Sequence, residues 1–373
     1  MNHHKPETKL SQPEVLAGTN LRDPVNISPA ILAVGTANPP RRYSQEEIYN
    51  LARRSSAFYR SDRVKQIFMN SGIDHRHFCF DIETFNPNEN SDELHARFAT
   101  GSVALSAEAI NACLASGGFS ISDIDYIVAV SCTGYLCPGL SSILIKELGM
   151  RRNIQRADLL GMGCAGAMPG LQRAYDFVKA YPDKRALLIT VEICSACYYI
   201  DDSLETVVGN AICADGAAAV VVGMDGSGPV PRISEFISFL EPSLIDKVGF
   251  EHRDGKLRII LSKDIRDIAG KLAKQVVTDL LRNTGVRKNQ IRHWILHSGG
   301  RKVIDNLQEE LELSKEEIRH SECVLKQFGN MSSPTVLFVL QETMRQSSPQ
   351  EGDLGVMLAM GPGLALEAAL LRW

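Results

Sequence analysis

Three side chains suited to acyl-thioester chemistry stand far apart in this chain: Cys164, His297 and Asn330. Cys164 lies in Asp158-Leu-Leu-Gly-Met-Gly-Cys164-Ala-Gly-Ala-Met-Pro-Gly170. That pattern predicts a buried apolar strand, a sharp turn through glycines and the start of a helix. Leu171, Ala174, Tyr175 and Val178 follow the i, i+3, i+4, i+7 spacing of a core-facing stripe. Pro169 is tolerated because the first helical turn has no internal acceptor for its missing amide. Cys164 then sits where the free N–H groups and the positive end of a helix dipole converge, which favours a nucleophilic thiolate. A cysteine alone in such a turn reads as a small buried filler. His297 ends a strand-like run from Ile291, and Asn330 stands in Phe328-Gly-Asn-Met-Ser-Ser-Pro334. A thiolate calls for a neighbouring imidazole, and a reacting thioester needs donors for the charge on its oxygen. Each residue alone is ordinary, and the set is what points to chemistry.

The 373 residues, 44% of them apolar, can bury a large core in one large or two medium domains. A net charge of −4 argues against a nucleic-acid partner. No run approaches the ~18 apolar residues of a membrane span, so no membrane insertion is expected. Residues 1–28 are polar and lack the apolar segment of a secretory leader. They are expected to form a flexible arm, with His3 and His4 solvated. Nine cysteines, an odd number mostly within apolar runs, suit a reducing compartment, hence a cytoplasmic location. Cys194-Ser-Ala-Cys197 has C-x-x-C spacing, but zinc wants a second pair, and Cys132 with Cys137 has the wrong spacing. A redox pair should open a helix early in a βαβ unit, whereas this one follows the strand Ala186–Glu192. Cys194 and Cys197 read as pocket walls, and no metal is expected.

The elements repeat. Strands are expected at 31–36, 125–131, 186–192 and 217–222, with Ser44 and Glu47 forming a capping box and a long helix over 93–115. The second part offers strands at 233–240, 257–261, 291–297 and 354–359 and a helix over 265–283. It also has a capping box at Ser314 and Glu317, and a helix capped by Ser333-Pro334. Helix, strand, glycine turn and helix near 125 recur in that order near 295. The order predicts an α/β protein of two similar halves, 29–225 carrying the cysteine and 226–373 carrying the histidine and asparagine. Gly223–Pro231, rich in glycine and proline, is the expected linker.

Gly163-Cys164-Ala165, His297-Ser-Gly-Gly300 and Gly329-Asn-Met-Ser-Ser333, with Gly361-Pro-Gly363, resemble the motifs of type III polyketide synthases, the chalcone synthase family. The resemblance runs from Ile31 to Trp373. It implies a thiolase fold, two α/β halves in five αβαβα layers, as a homodimer. It also implies that Cys164 carries the starter acyl group while His297 and Asn330 hold the malonyl-CoA carbonyl during decarboxylation. Coenzyme A thioesters, malonyl-CoA with or without another acyl-CoA, would be the substrates, with no cofactor. By the same resemblance Cys213 and Ile259 stand where plant relatives have gatekeeper phenylalanines. Cys194 and Cys197 replace pocket threonines, Cys137 lies on the loop that reaches the partner subunit's cavity, and Ser332 borders the pocket. Of the CoA-binding cations Arg63 is kept, Gln66 and Asn70 are not, and Lys302 after Gly299-Gly300 is placed to compensate. Thr133-Gly-Tyr-Leu-Cys-Pro-Gly-Leu140 and His293 to Asp305 extend the likeness to bacterial dihydroxyphenylacetyl-CoA synthases, which use malonyl-CoA alone. A synthase of alkylresorcinols or alkylpyrones with a longer starter stays open.

Gly161-Met-Gly163-Cys-Ala-Gly166 also fits G-x-G-x-x-G, with Glu192 near the place of a ribose-binding acid. That reading of an NAD-binding oxidoreductase leaves Cys164, His297 and Asn330 unexplained. A papain-type hydrolase would not double its layout. An initiating ketoacyl synthase would carry His-Gln-Ala-Asn where this chain has His297-Ser-Gly-Gly300.

Overall fold

The computed structural model describes residues 28–226, 228–262 and 265–373. Of the expected arm only Ser28 falls within them, and its hydroxyl donates to the carbonyl of Ile233.

The first half runs β1 (Ala30–Ala37), β2 (Arg42–Ser44), α1 (Gln45–Ser55), α2 (Asp62–Met69), β3 (His75–His77), α3 (Ser91–Gly117), β4 (Tyr126–Ser131), α4 (Leu140–Glu147), β5 (Gln155–Leu160), α5 (Ala167–Ala180), β6 (Ala186–Glu192), α6 (Leu204–Ile212) and β7 (Gly216–Gly223). The second runs β8 (Arg232–Leu240), β9 (Val248–Arg253), β10 (Lys256–Leu261), α7 (Ile265–Thr284), β11 (Ile291–Leu296), α8 (Arg301–Glu310), α9 (Lys315–Phe328), α10 (Thr335–Ser347), β12 (Leu354–Gly361) and β13 (Ala365–Arg372).

The strand order is β11-β12-β13-β8-β1-β7-β6-β4-β5. Read outward from the β8–β1 junction, it is two copies of one pattern. β1-β7-β6-β4 and β8-β13-β12-β11 each have two antiparallel pairings followed by a parallel one. Within the sheet the two strand sets join where β1 pairs with β8, Ala30 with Arg232. Residue identity hides the doubling, because each strand need only be apolar and β-branched to fit its layer.

Apolar cores lie between five layers. α5 and α10 fill the middle, with Met168, Leu171, Ala174 and Val178 meeting Val336, Phe338 and Leu340 between the sheets. α3 and α4 cover the outer face of the first sheet, while α7, α8 and α9 cover that of the second. This is the αβαβα arrangement of the thiolase fold. α3 is long and apolar enough to cross a membrane, yet it packs Phe98, Leu105, Ile110 and Cys113 into the core beneath the first sheet.

Both capping boxes form as expected. Ser333 does not cap α10, because its hydroxyl is taken by Glu192. The strand before Cys164 is not buried either. β5 is the outermost strand, its residues alternate toward solvent, and Leu160 is 48% exposed. β9 and β13 were not foreseen. β9 and β10 form a hairpin closed by Asp254 and Gly255, both at positive φ (52° and 72°) as a two-residue primed turn demands.

Candidate active site

Cys164 occupies a single 3-10 turn, Gly163–Ala165, between β5 and α5. Gly163 has φ +52°, and a side chain there would come within 2.3 Å of Pro362. The turn is thus packed against Pro362, in the turn that follows β12. The expected thiolate is not what this environment favours. Burial pushes the Cys164 thiol up to about 12, outweighing the hydrogen bonds from Ser332 and Asn330 that stabilise its charge. The cysteine stands two residues ahead of Gly166, the N-cap of α5, in the 3-10 turn rather than in the helix, and lost hydration is the largest influence on it.

His297 follows β11, where its amide donates to Leu358 O at 2.9 Å, and it is 3% exposed. Burial holds its imidazole down at about 4, so the ring is neutral at pH 7. Nδ1 has no hydrogen-bond partner among the described residues, while Nε2 lies over Gly299, where an added Cβ would approach it to 3.2 Å. Asn330 donates from Nδ2 to Gly299 O at 3.1 Å and accepts at Oδ1 from Ser332 N at 2.8 Å. Its carboxamide is therefore locked, and Gly299 links it to the histidine. Ser332 pays for this turn with φ +57°, and its Oγ lies 3.6 Å from Cys132 Sγ.

Of the expected pocket residues Cys194, Cys197, Cys213 and Ile259 line one cavity of about 410 Å³, measured to its open mouth, whereas Ser332 is not among its lining residues. Ile259 packs over Gly209, one turn of α6 before Cys213. Cys137 is exposed and lies outside this cavity. Arg63 on α2 and Lys302 in the first turn of α8 are exposed and make no ion pair among the described residues. Gly300 is the N-cap of α8.

Sequence reading missed Tyr199, Phe250 and Leu257 on the cavity wall. Phe250 was legible, since Asp254-Gly255 between two apolar runs is a hairpin signal. It also gave Glu192 no structural role. This carboxylate is fully buried, and Oε2 accepts from Ser131 Oγ (3.2 Å), Cys132 N (3.0 Å), Thr133 N (3.1 Å) and Thr133 Oγ1 (2.9 Å). Oε1 accepts from Ser333 Oγ at 2.6 Å. Glu192 ties the loop after β4 to the loop carrying Asn330. No oxygen is left for a ribose, and Pro362 fills the space above Gly163, so the dinucleotide reading fails.

Residues 25–226 match the N-terminal domain of chalcone and stilbene synthases, and residues 242–373 match the C-terminal domain. The chain is 35% identical over 371 residues to a 3,5-dihydroxyphenylacetyl-CoA synthase of Streptomyces toyocaensis, covering 96% of this chain and 94% of that protein. It is 33% identical to a 1,3,6,8-tetrahydroxynaphthalene synthase of Streptomyces peucetius subsp. caesius, covering 92% and 93%. Among solved structures it resembles PKS-I of the brown alga Ectocarpus siliculosus, with TM-score 0.88 and 28% identity over 94% of this chain and all of that one. The tetrahydroxynaphthalene synthase of Streptomyces coelicolor follows with TM-score 0.85 and 27% identity over 92% and 99%. A doubled thiolase fold, the motifs around Cys164, His297 and Asn330 and these matches over both halves lead to one assignment: the chain belongs to the chalcone and stilbene synthase family and is a type III polyketide synthase.

Proposed function

We propose that the enzyme uses malonyl-CoA as starter and extender, holds the growing chain on Cys164 and cyclises it to a small aromatic product. The observation that carries this reading is the set of contacts joining Cys164, Asn330 and Ser332, with His297 across Gly299, beside a compact cavity walled by cysteines.

In the loading step the Cys164 thiol passes its proton to His297 as its sulfur attacks the thioester carbonyl. The C–S bond to coenzyme A breaks, and the departing thiolate takes the proton back. A neutral histidine can accept that proton, which an imidazolium could not. Malonyl-CoA then loses carbon dioxide, and the electron pair of the broken C–C bond becomes an enolate. Its oxygen accepts from the N–H groups of His297 and Asn330, which are prearranged away from bulk water where such bonds are strongest. The enolate carbon attacks the acyl-Cys164 carbonyl and expels the Cys164 sulfur as a thiolate. That thiolate attacks the thioester of the elongated chain directly, the C–S bond to coenzyme A breaks, and the departing thiolate takes a proton from water. The reaction needs no cofactor beyond the coenzyme A of its substrates. The exposed cations Arg63 and Lys302, the latter beside Gly299 and Gly300 at a helix start, are suited to coenzyme A phosphates.

A homodimer is proposed on the exposed strand β5, which has no neighbouring strand on its outer side among the described residues. Leu160 and the 62%-exposed Tyr135 flank a shallow cleft there, near the exposed Cys137. The nine described cysteines are all free, which supports a reducing cytoplasmic setting. Mass spectrometry of products from malonyl-CoA alone, then with acyl-CoAs of graded length, tests the substrate assignment. A product only when a long acyl-CoA is supplied would replace malonyl-CoA as the starter.

A further inference from the structure

Arg76, on β3, is fully buried, yet among the described residues no carboxylate accepts from it. Its Nη1 donates to Asn210 O and to Cys213 O, both at 2.7 Å. These carbonyls belong to the C-terminal end of α6, where a helix leaves its last acceptors unpaired and partly negative. The other two are also taken: Ala211 O accepts from Gln45 Nε2 at 2.7 Å, and Ile212 O accepts from the amide of Asn330 at 2.8 Å. The end of the helix that carries the pocket-wall cysteine is thus closed by Arg76, Gln45 and the strand-like approach of Asn330.

Arg76 touches the Asn330 side as well. Gly329 has φ +73°, and a Cβ there would lie 2.9 Å from Cγ and Cδ of Arg76 and 2.9 Å from Ile212 O. The methylene stem of the arginine is the surface on which the turn into Asn330 rests. Below it the guanidinium lies 5.2 Å from the centre of the Phe78 ring, an aromatic face that stabilises a cation. Its Nε and Nη2 have no hydrogen-bond partner among the described residues. Burial without an anionic partner lowers its pKa to about 10, so it remains charged at pH 7.

We infer that Arg76 is a positioning residue that couples the pocket wall at Cys213 to the backbone turn that carries Asn330, so that cavity shape and decarboxylation geometry are set together. The inference rests on the role proposed for Asn330. Arg76 reaches neither Cys164 nor substrate. It acts through two backbone segments that it holds in register.

The test compares Arg76→Met, which keeps bulk and loses charge and donors, with Arg76→Lys, which keeps the charge on a shorter stem. Two readouts are taken on enzyme normalised by acylation of Cys164: carbon dioxide release from malonyl-CoA, and the profile of product sizes. In Arg76→Met decarboxylation should fall by on the order of 10-fold, less than the roughly 100- to 1000-fold typical for loss of an oxyanion donor itself. The product profile should broaden in the same variant. Arg76→Lys should recover part of both. A purely structural arginine would lower the folded fraction and leave both readouts unchanged per acylated enzyme. If Arg76→Met does not fold, Arg76→Lys alone decides. Any folded variant in which one readout moves without the other, or neither moves, overturns the coupling. Asn330→Ala in the same assay stands as the independent control: unchanged decarboxylation there refutes the role of Asn330 whatever Arg76 does.

Discussion

Cys213 and Asn330 meet in a one-rung parallel bridge: the Asn330 amide donates to Ile212 O at 2.8 Å, and the Ala214 amide donates to Asn330 O at 2.9 Å. A wall residue of the cavity and a donor assigned to decarboxylation therefore share one piece of backbone, contributed by opposite halves of the fold. The side chain of Asn330 is held separately, through Ser332 N and Gly299 O. Replacing it by alanine removes the donor without cutting the bridge. Asn330→Ala should release carbon dioxide from malonyl-CoA on the order of 100- to 1000-fold more slowly. Intact-protein mass spectrometry should still find an acyl group on Cys164.

Cys164 offers a test of how its nucleophile is made. Its thiol is held near pKa 12 by burial, so the resting enzyme carries little thiolate at neutral pH. Alkylation of Cys164 by iodoacetamide, followed by peptide mass spectrometry, should be slow at pH 7 and keep rising beyond pH 9. A plateau near pH 6 would mean a preformed thiolate pair and would remove proton transfer to His297 from the loading step.

Much of this was legible in the chain. The doubling showed in the recurring order of elements, because sheet and helix periods survive when identities do not. The three reactive positions could be found because glycines and a strand end mark where side chains must be aimed. Two kinds of fact were hidden. Whether β5 is inside or at an edge depends on strand order, which no local pattern carries: Asp158-Leu-Leu160 reads as buried until it proves to be the last strand. The protonation states of Cys164 and His297 were hidden too, because hydration lost to distant segments decides them. The bracing role of Glu192 was hidden for the same reason, since its five donors come from loops around 131–133 and 333.

Glu192 predicts a stability loss distinct from catalysis. Glu192→Ala would leave the Ser131, Thr133 and Ser333 donors buried without an acceptor, at about 1–3 kcal/mol for each one left unpaired. The urea midpoint should drop well below that of Glu192→Gln, which retains one acceptor oxygen. Equal midpoints for the two variants would show that the loops close without this brace.

His297 predicts how stability depends on pH. The unfolded chain protonates this ring near pH 6.5, whereas burial in the folded protein delays protonation to about pH 4. Between those values the unfolded state binds more protons, so stability is full above pH 6.5 and declines as pH falls toward 4. At about 1.4 kcal/mol per pH unit the window is worth up to about 3.5 kcal/mol. His77 and His320 are also held down by burial and act in the same direction, but they persist in a His297→Gln variant. Urea unfolding at pH 7 and pH 5 should therefore show a smaller acid loss in His297→Gln than in the parent. The same loss in both would place the titration elsewhere.

Cys213 predicts what the cavity is for. It lines the same space as Cys194, Cys197 and Ile259, and Ile259 lies over Gly209 on the helix that ends at Cys213. Phenylalanine at 213 would push into a wall already touched by Ile259, and overfilling a packed site typically costs ~1–3 kcal/mol. The ring is therefore expected to turn into the cavity and take space from the growing chain. Cys213→Phe should shorten the longest product made from malonyl-CoA, and the longest acyl-CoA accepted, while carbon dioxide release persists. Chromatography with mass detection on the two enzymes run side by side reads this directly. Identical product profiles with every starter would mean that position 213 does not limit the cavity, and the size control would then pass to Ile259 and Phe250 across the hairpin.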